Sequence, residues 1–598
     1  MPNEADKKDI LTVIKACNTS ALGITSSPST TIDITIDITD KNKRERALGQ
    51  MVYFAVEEDG QNILVIGQIM SIETQNRWHE DPSFKGVIKR HERLPHLSDV
   101  ADNRIAVISV QACYALNGAS AEGYILGTSP STGEKVKKMD NEIMQVLMQD
   151  HVNYVTYLGK VYGTDVDLPF WLKHFGKTIE DTNEIGAGDA YHIGVFGKTG
   201  SGKTVTAAYV LIGYAKNKNN MSILVLDPQG QFFLDQELLP NGVKLEEKIK
   251  EKGMKYEKLK ILEDIYLPSD RYDIFSELLI SNGFVDEAFG PFYTPEKREL
   301  MGESVKEYLE GRFEDPKFNL NNLDSMKLLN EMFNRFLNLK YPQEQKDNYS
   351  KYVTKVWAKK DQRDKLVERI NHVLTNINTL TTIVNKWQSV VQLFASKKMD
   401  NSAKKSIDEI VSRIVKEKGN FIILDISPKQ GEIEDENVQA LFINVLENRI
   451  VKTGAILYSK GQKSDCLIVM DEAHRFVTTN TIDERIKDLK DSIIDAVRTT
   501  RKYGIGYMFI TQTIESIDEE ILRQMRIFAF GYGLTSGQEL HKVSEIINNP
   551  SAIQLYRSFI DPSSNHRFPF MVFGPISPLS FTGSPLFLEV YTDFNKFK

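Results

Sequence analysis

From Tyr191 to Ala215 the chain reads YHIGVFGKTGSGKTVTAAYVLIGYA, and no other stretch restricts the possible folds as tightly. A short apolar run leads into a glycine-rich loop and then into a segment whose apolar residues recur with helical spacing. Gly197, Gly202, Lys203 and Thr204 satisfy the pattern G-x-x-x-x-G-K-[ST]. Glycines in such a loop let successive backbone N–H groups face one anion, and the start of the following helix adds the positive end of its dipole. The pattern arises by chance in roughly 2% of chains of this length, and the strand, loop and helix around it lower that figure further. The alternative is an ordinary glycine turn before a helix. The loop residues Gly197, Lys198, Thr199, Gly200, Ser201, Gly202, Lys203 and Thr204 are therefore the expected nucleotide-binding set. Lys203 is expected to reach the β- and γ-phosphates of ATP, and the Thr204 hydroxyl to ligate Mg²⁺. Lys198 is not the motif lysine, and its side chain is expected in solvent.

Three further compact apolar runs, SILVLDP, CLIVMDEAH and YMFITQT, end in polar residues, as does NFIILDISP. Buried parallel strands display active sites at their carboxyl ends in this way, so the expected fold class is α/β. In CLIVMDEAHRF two carboxylates, Asp471 and Glu472, follow the apolar run directly. With a phosphate loop in the same chain, the first acid is expected to organise the magnesium shell and the second to polarise the attacking water. His474 reads as a packing or hydrogen-bonding residue. Downstream, Arg498, Arg501 and Lys502 form a basic segment before a strand that ends at Thr511 and Gln512. An amide at Gln512 can sense a γ-phosphate, and an arginine reaching a neighbouring subunit's nucleotide would stabilise transition-state charge. For Arg501 the competing reading is a solvated basic helix end.

A length of 598 residues exceeds what one hydrophobic core sustains, so at least two domains are expected. Residues 47–151 are rich in β-branched runs with turn residues between them, which suggests a small sheet or barrel ahead of the nucleotide core. TIDITIDITD alternates isoleucine with polar residues and suits a half-exposed strand, or else a low-complexity linker. Between residues 238 and 418 long charged segments with helical spacing take over. Lysines in 351–365 and 404–418 are candidates for a pore lining, against the plainer reading of solvated helix faces. The net charge of −8 gives no global affinity for nucleic acid, although a ring could still concentrate lysines on an inner surface. Cys17, Cys113 and Cys466 show no metal spacing, and no run approaches the roughly 18 apolar residues of a membrane span. A cytoplasmic protein without a membrane segment is expected.

GKTGSGKT, DPQGQF at Asp227 to Phe232, IVMDEAH and RTTRKYGIGYMFITQT together resemble the HerA family of the HerA/FtsK branch of RecA-like ATPases. The resemblance covers most of the chain. It implies a RecA-like P-loop NTPase core with an N-terminal β-barrel over 1–175, core segments at 176–237 and 419–575, a helical insertion at 238–418, and a C-terminal brace at 576–598 that lies across a neighbour. It further implies a homohexamer that moves on or unwinds DNA, with Glu472, Arg501 in trans and Gln512 as catalytic residues and Thr204 and Asp471 around Mg²⁺. A separate effector, a nuclease or a sirtuin-type NADase, would dock on the barrel, in bacterial antiphage defence. The sequence departs from the family at Gln231, where an acid is usual, and at Tyr191, where an arginine is usual just before the first strand. Two other functions stay open. One is an ATP-dependent assembly scaffold that activates a partner enzyme, and the other is a conjugation or secretion ATPase.

Overall fold

The computed structural model describes the chain except for residues 1–6, 17–19, 95–96, 153–154, 173–190, 217–218, 220, 237, 269–270, 293, 313–324, 338–348, 399–400, 428–435, 479–483, 581 and 597–598. Cys17 and the expected boundary at 175/176 lie outside the described residues. The first strands are β1 (Gly23–Thr25), β2 (Asp33–Ile38), β3 (Met51–Glu58), β4 (Gln61–Gln75), β5 (Asn103–Asn117), β6 (Ser120–Tyr124) and β7 (Lys135–Lys138). They pair in the order β2-β1-β7-β3-β4-β5-β6, and a further β2–β5 pairing closes six of them into a barrel. The alternation of TIDITIDITD is spent here. Ile34, Ile36 and Ile38 point into the barrel core with Val52, Phe54, Val65 and Ile108, while the intervening residues face outward.

The second sheet combines β8 (Val155–Val161), β9 (Asp167–Trp171), β10 (His192–Phe196), β11 (Ser222–Asp227), β12 (Lys255–Lys260), β15 (Asn420–Asp425), β16 (Cys466–Met470), β17 (Ile505–Thr511), β18 (Met525–Gly531), β19 (Phe568–Phe573) and β20 (Leu586–Val590). A two-residue pair, β13 (Ile265–Tyr266) and β14 (Lys405–Ser406), stands apart. The order of the large sheet is β12-β15-β11-β16-β17-β10-β18-β19-β20-β8-β9. From β12 to β18 the pairing is parallel, and from β18 to β9 it is antiparallel.

The central strands are buried on both faces, which is why they read as continuous apolar runs. Ile193, Val225, Ile423 and Val469 pack towards the helix Lys203–Ala215 and one core. Leu226, Ile422, Ile468 and Phe509 face the other core, shared with the helices of the insertion around Trp387, Phe275 and Phe284. Residues 238–418 are not helical throughout: Lys255–Lys260 is the edge strand β12, which carries Lys255, Lys258 and Lys260 beside Tyr256 and Leu259. A lysine-rich edge discourages pairing with another chain.

The C-terminal segment lies within this chain's own sheet. β20 is hydrogen-bonded between β19 and β8, and the stretch before it is tied to the barrel. Tyr114 donates to the Pro578 carbonyl at 2.7 Å, and Gln68 and Gln111 donate to the carbonyls of Phe587 and Pro585 at 3.0 and 2.8 Å. An apolar strand with both faces covered must satisfy its backbone groups, and β19 and β8 provide the partners. Among the described residues no helix is long and apolar enough to cross a membrane.

Candidate nucleotide-binding site

Five buried residues of β10 deliver the chain to the carboxyl edge of the sheet, where it turns into the loop 197–202 and the helix Lys203–Ala215. Gly202 caps that helix with φ +86°, and a Cβ there would stand 2.6 Å from the Phe568 ring. Only glycine satisfies both the backbone and the space. Lys203 is buried, with Nζ 3.2 Å from the Lys198 carbonyl. Burial holds its ammonium below the usual lysine value, opposed by the carboxylates of Glu472 and Asp471. A buried ammonium aimed across a glycine-rich loop is suited to a multiply charged anion.

Asp471 and Glu472 follow β16 on the same edge. Asp471 donates its backbone N–H to the Leu226 carbonyl, and its Oδ2 is buried with no hydrogen-bond partner among the described residues. Burial, reinforced by Asp227 and Glu472, pushes its carboxyl up to about 8. Asp227, at the end of β11, is likewise pushed by burial up to about 6. Glu472 sits in the left-handed region at φ 45°, strained for a residue with a side chain. Burial also works against its ionisation, but contacts from His474 and Gln512 outweigh that and leave its carboxyl below the usual value. His474 Nδ1 lies 3.2 Å from Glu472 Oε2, and Gln512 Nε2 donates to Glu472 Oε1 at 3.0 Å. Two adjacent carboxylates are thus driven in opposite directions, one towards the acid and one towards the base.

Gln512 also accepts from the Thr199 hydroxyl at 3.0 Å, so it joins the phosphate loop to Glu472. Thr204 donates its hydroxyl proton to Gln231 Oε1 at 3.2 Å, and Gln231 Nε2 donates to Gln229 Oε1 at 2.8 Å. Thr204 oxygen lone pairs and the unpartnered Asp471 Oδ2 are hard oxygen donors of the kind Mg²⁺ takes, so these residues fit that ion. These groups line one cleft of about 690 Å³, together with Phe568.

The structure therefore brings together the loop residues, Asp471, Glu472 and Gln512. It does not bring Arg501 to them. Arg501 precedes β17, and the seven residues of that strand, about 23 Å, separate it from Gln512. Its guanidinium lies 5.2 Å from the Tyr191 ring centroid at the amino edge of the sheet, with Arg526 at 5.5 Å from the same ring. Sequence reasoning missed Phe568, which is far from the loop in the chain and carries no local signal. Gln231, where the family has an acid, accepts from the Thr204 hydroxyl, a contact its place in the sequence does not announce.

Residues 190–450 match the family model described as Helicase HerA, central domain. Among solved structures, VirB4 of Thermoanaerobacter pseudethanolicus is similar at 12% identity over 73% of this chain and 96% of that one, with a TM-score of 0.35. The bacterial conjugative coupling protein TrwBdeltaN70 is similar at 10% identity over 67% and 85%, with a TM-score of 0.32. The genome packaging NTPase B204 from Sulfolobus turreted icosahedral virus 2 in complex with ATP-gammaS is similar at 14% identity over 30% and 71%, with a TM-score of 0.20. No curated protein matches the sequence. The family match covers the phosphate loop, the Asp-Pro-Gln-Gly-Gln element and the insertion, and with the site geometry it makes this chain a P-loop ATPase with a HerA-type central domain.

Proposed function

We propose that the chain is one subunit of a homohexameric ring that couples ATP hydrolysis to movement along DNA. The observation that carries this reading is the position of Arg501, at the opposite edge of the sheet from its own nucleotide cleft. An arginine placed there serves a neighbouring copy, so each complete site needs two subunits. The helicase description of the matching domain family supports DNA as the track.

Within one subunit Lys203 neutralises charge on the β- and γ-phosphate oxygens, and the loop N–H groups orient the triphosphate. Thr204 and Asp471 would hold Mg²⁺, which would supply further charge neutralisation on those oxygens. Glu472 is kept ionised by Gln512 and His474 and takes a proton from the attacking water. Gln512 touches both Thr199 in the loop and Glu472, so release of the γ-phosphate is felt along β17. The closed barrel offers its surface to an effector, a nuclease or a sirtuin-type NADase, in a cytoplasmic antiphage system.

Steady-state ATP hydrolysis with and without duplex DNA tests the motor, and native copurification identifies the effector. DNA is expected to stimulate turnover, and Lys203→Ala to abolish nucleotide binding. Unchanged turnover with DNA, together with full effector activity in a Glu472→Gln complex, would replace the motor with an assembly scaffold. Wild-type ATP affinity in Lys203→Ala would remove the site assignment itself.

A further inference from the structure

The groups that face the γ-phosphate share one flank of the phosphate loop. Asp471 and Glu472 follow β16, two strands from β10, and Gln512 follows β17, one strand away. Leu234 and Leu238, two of the aliphatic residues of the cleft, belong to the same flank, because they follow β11, which lies beyond β16. A nucleotide with its γ-phosphate on that side directs its ribose and base to the other flank, towards β18 and β19.

β19 runs antiparallel to β18, so it is the first residue of β19 that reaches the carboxyl edge, beyond the pairing of Phe570 with Gly531. That residue is Phe568. Its Cγ and Cδ1 atoms lie 2.6 Å from where a Cβ of Gly202 would stand, so the ring rests against the residue that caps the loop helix. Phe568 is half-buried and lines the same cleft as Lys203 and Thr204, whereas Phe570, two residues on, is fully buried in the core. Two strand spacings, about 10 Å, separate β19 from β10. Asp471 stands the same two spacings away on the opposite side.

We infer that Phe568 is the platform on which the heteroaromatic base of the bound nucleotide stacks. The inference rests on the nucleotide-site reading and deepens it. Every base has a π face, so such a platform adds affinity for a nucleoside triphosphate over bare polyphosphate without selecting one base.

The test is calorimetric titration of the full chain with ATP and, separately, with inorganic tripolyphosphate. Phe568→Leu keeps an apolar side chain but removes the π face, and it is expected to weaken ATP about tenfold while tripolyphosphate binds as in the wild type. Phe568→Trp is expected to bind ATP at least as tightly as the wild type, which keeps the test open if the leucine variant folds poorly. Unchanged ATP affinity in Phe568→Leu overturns the inference. So does an equal loss for ATP and tripolyphosphate, which would mean that the ring only shapes the loop through Gly202, and so does a loss of ATP binding in Phe568→Trp. Failure of the underlying reading looks different: wild-type protein would bind neither probe, or Lys203→Ala would bind both normally.

Discussion

At the carboxyl edge of the parallel sheet, Thr199, Gln512 and Glu472 form a hydrogen-bonded chain beside the buried Lys203, while at the amino edge Arg501 and Arg526 both lie against the ring of Tyr191. The same strands, β10, β17 and β18, connect the two. In a parallel sheet all carboxyl ends share one side, so every loop that follows a strand can contribute to one cleft. A residue that precedes a strand is carried to the far side and cannot return. The difference teaches that the carboxyl edge gathers the phosphate loop with its partners, that the amino edge holds two guanidiniums against one ring, and that a sheet cannot bring both to one ligand. An activity that needs both requires a second copy.

The sharpest way to break this comparison is at Arg501. If it acts in trans, Arg501→Ala is expected to lower kcat by about 10³-fold with little effect on ATP binding. Mixing Arg501→Ala with Lys203→Ala subunits should recover part of the activity, because some interfaces then pair an intact loop with an intact arginine. No recovery in the mixture would confine Arg501 to its own subunit's amino edge. The next largest effect belongs to the carboxyl edge: Glu472→Gln is expected to cost about 10²-fold in kcat while ATP affinity holds, measured by single-turnover hydrolysis and titration. A Gln512→Ala variant is expected to lose about tenfold, since Glu472 then loses one of its two partners but keeps His474.

The smallest effect tests whether the interior between the edges is independent of the chemistry. Glu447 is buried under the sheet and hydrogen-bonded by Tyr507, and burial pushes its carboxyl up to about 7. The folded protein therefore keeps a proton that the unfolded chain releases near 4.5. That contribution is full below pH 4.5 and is lost as pH rises through 7. Glu447→Gln is expected to match the wild type in Tm at pH 5 and to exceed it at pH 8, by on the order of 2 kcal/mol in stability. ATP affinity should not change, and a change would join the interior to the site.

Residues close in sequence made much of the site legible. The loop 197–204 needs only its own glycines and the helix behind it, and Asp471 and Glu472 announce themselves by following a buried run. The alternation in TIDITIDITD likewise foretold a strand with one buried face. These are local signals, because a period of two or a turn geometry is set within a few residues. The edge strand inside the insertion was not legible: β12 holds three lysines, a glutamate and only Tyr256 and Leu259 as large apolar residues, and only pairing with β15 makes it a strand.

From its residues alone the chain determined that it holds a phosphate loop, an acidic pair and parallel α/β strands, since each depends on backbone conformation and apolar spacing that neighbours in sequence dictate. Tertiary structure alone decided which of those residues meet. Strand order placed Gln512 between Thr199 and Glu472, set Gln231 beside Thr204, and laid Phe568 against Gly202. It also sent Arg501 to the opposite edge. The physical reason is that strand order and direction are fixed by long-range burial and hydrogen bonding across the whole chain, which no window of the sequence contains.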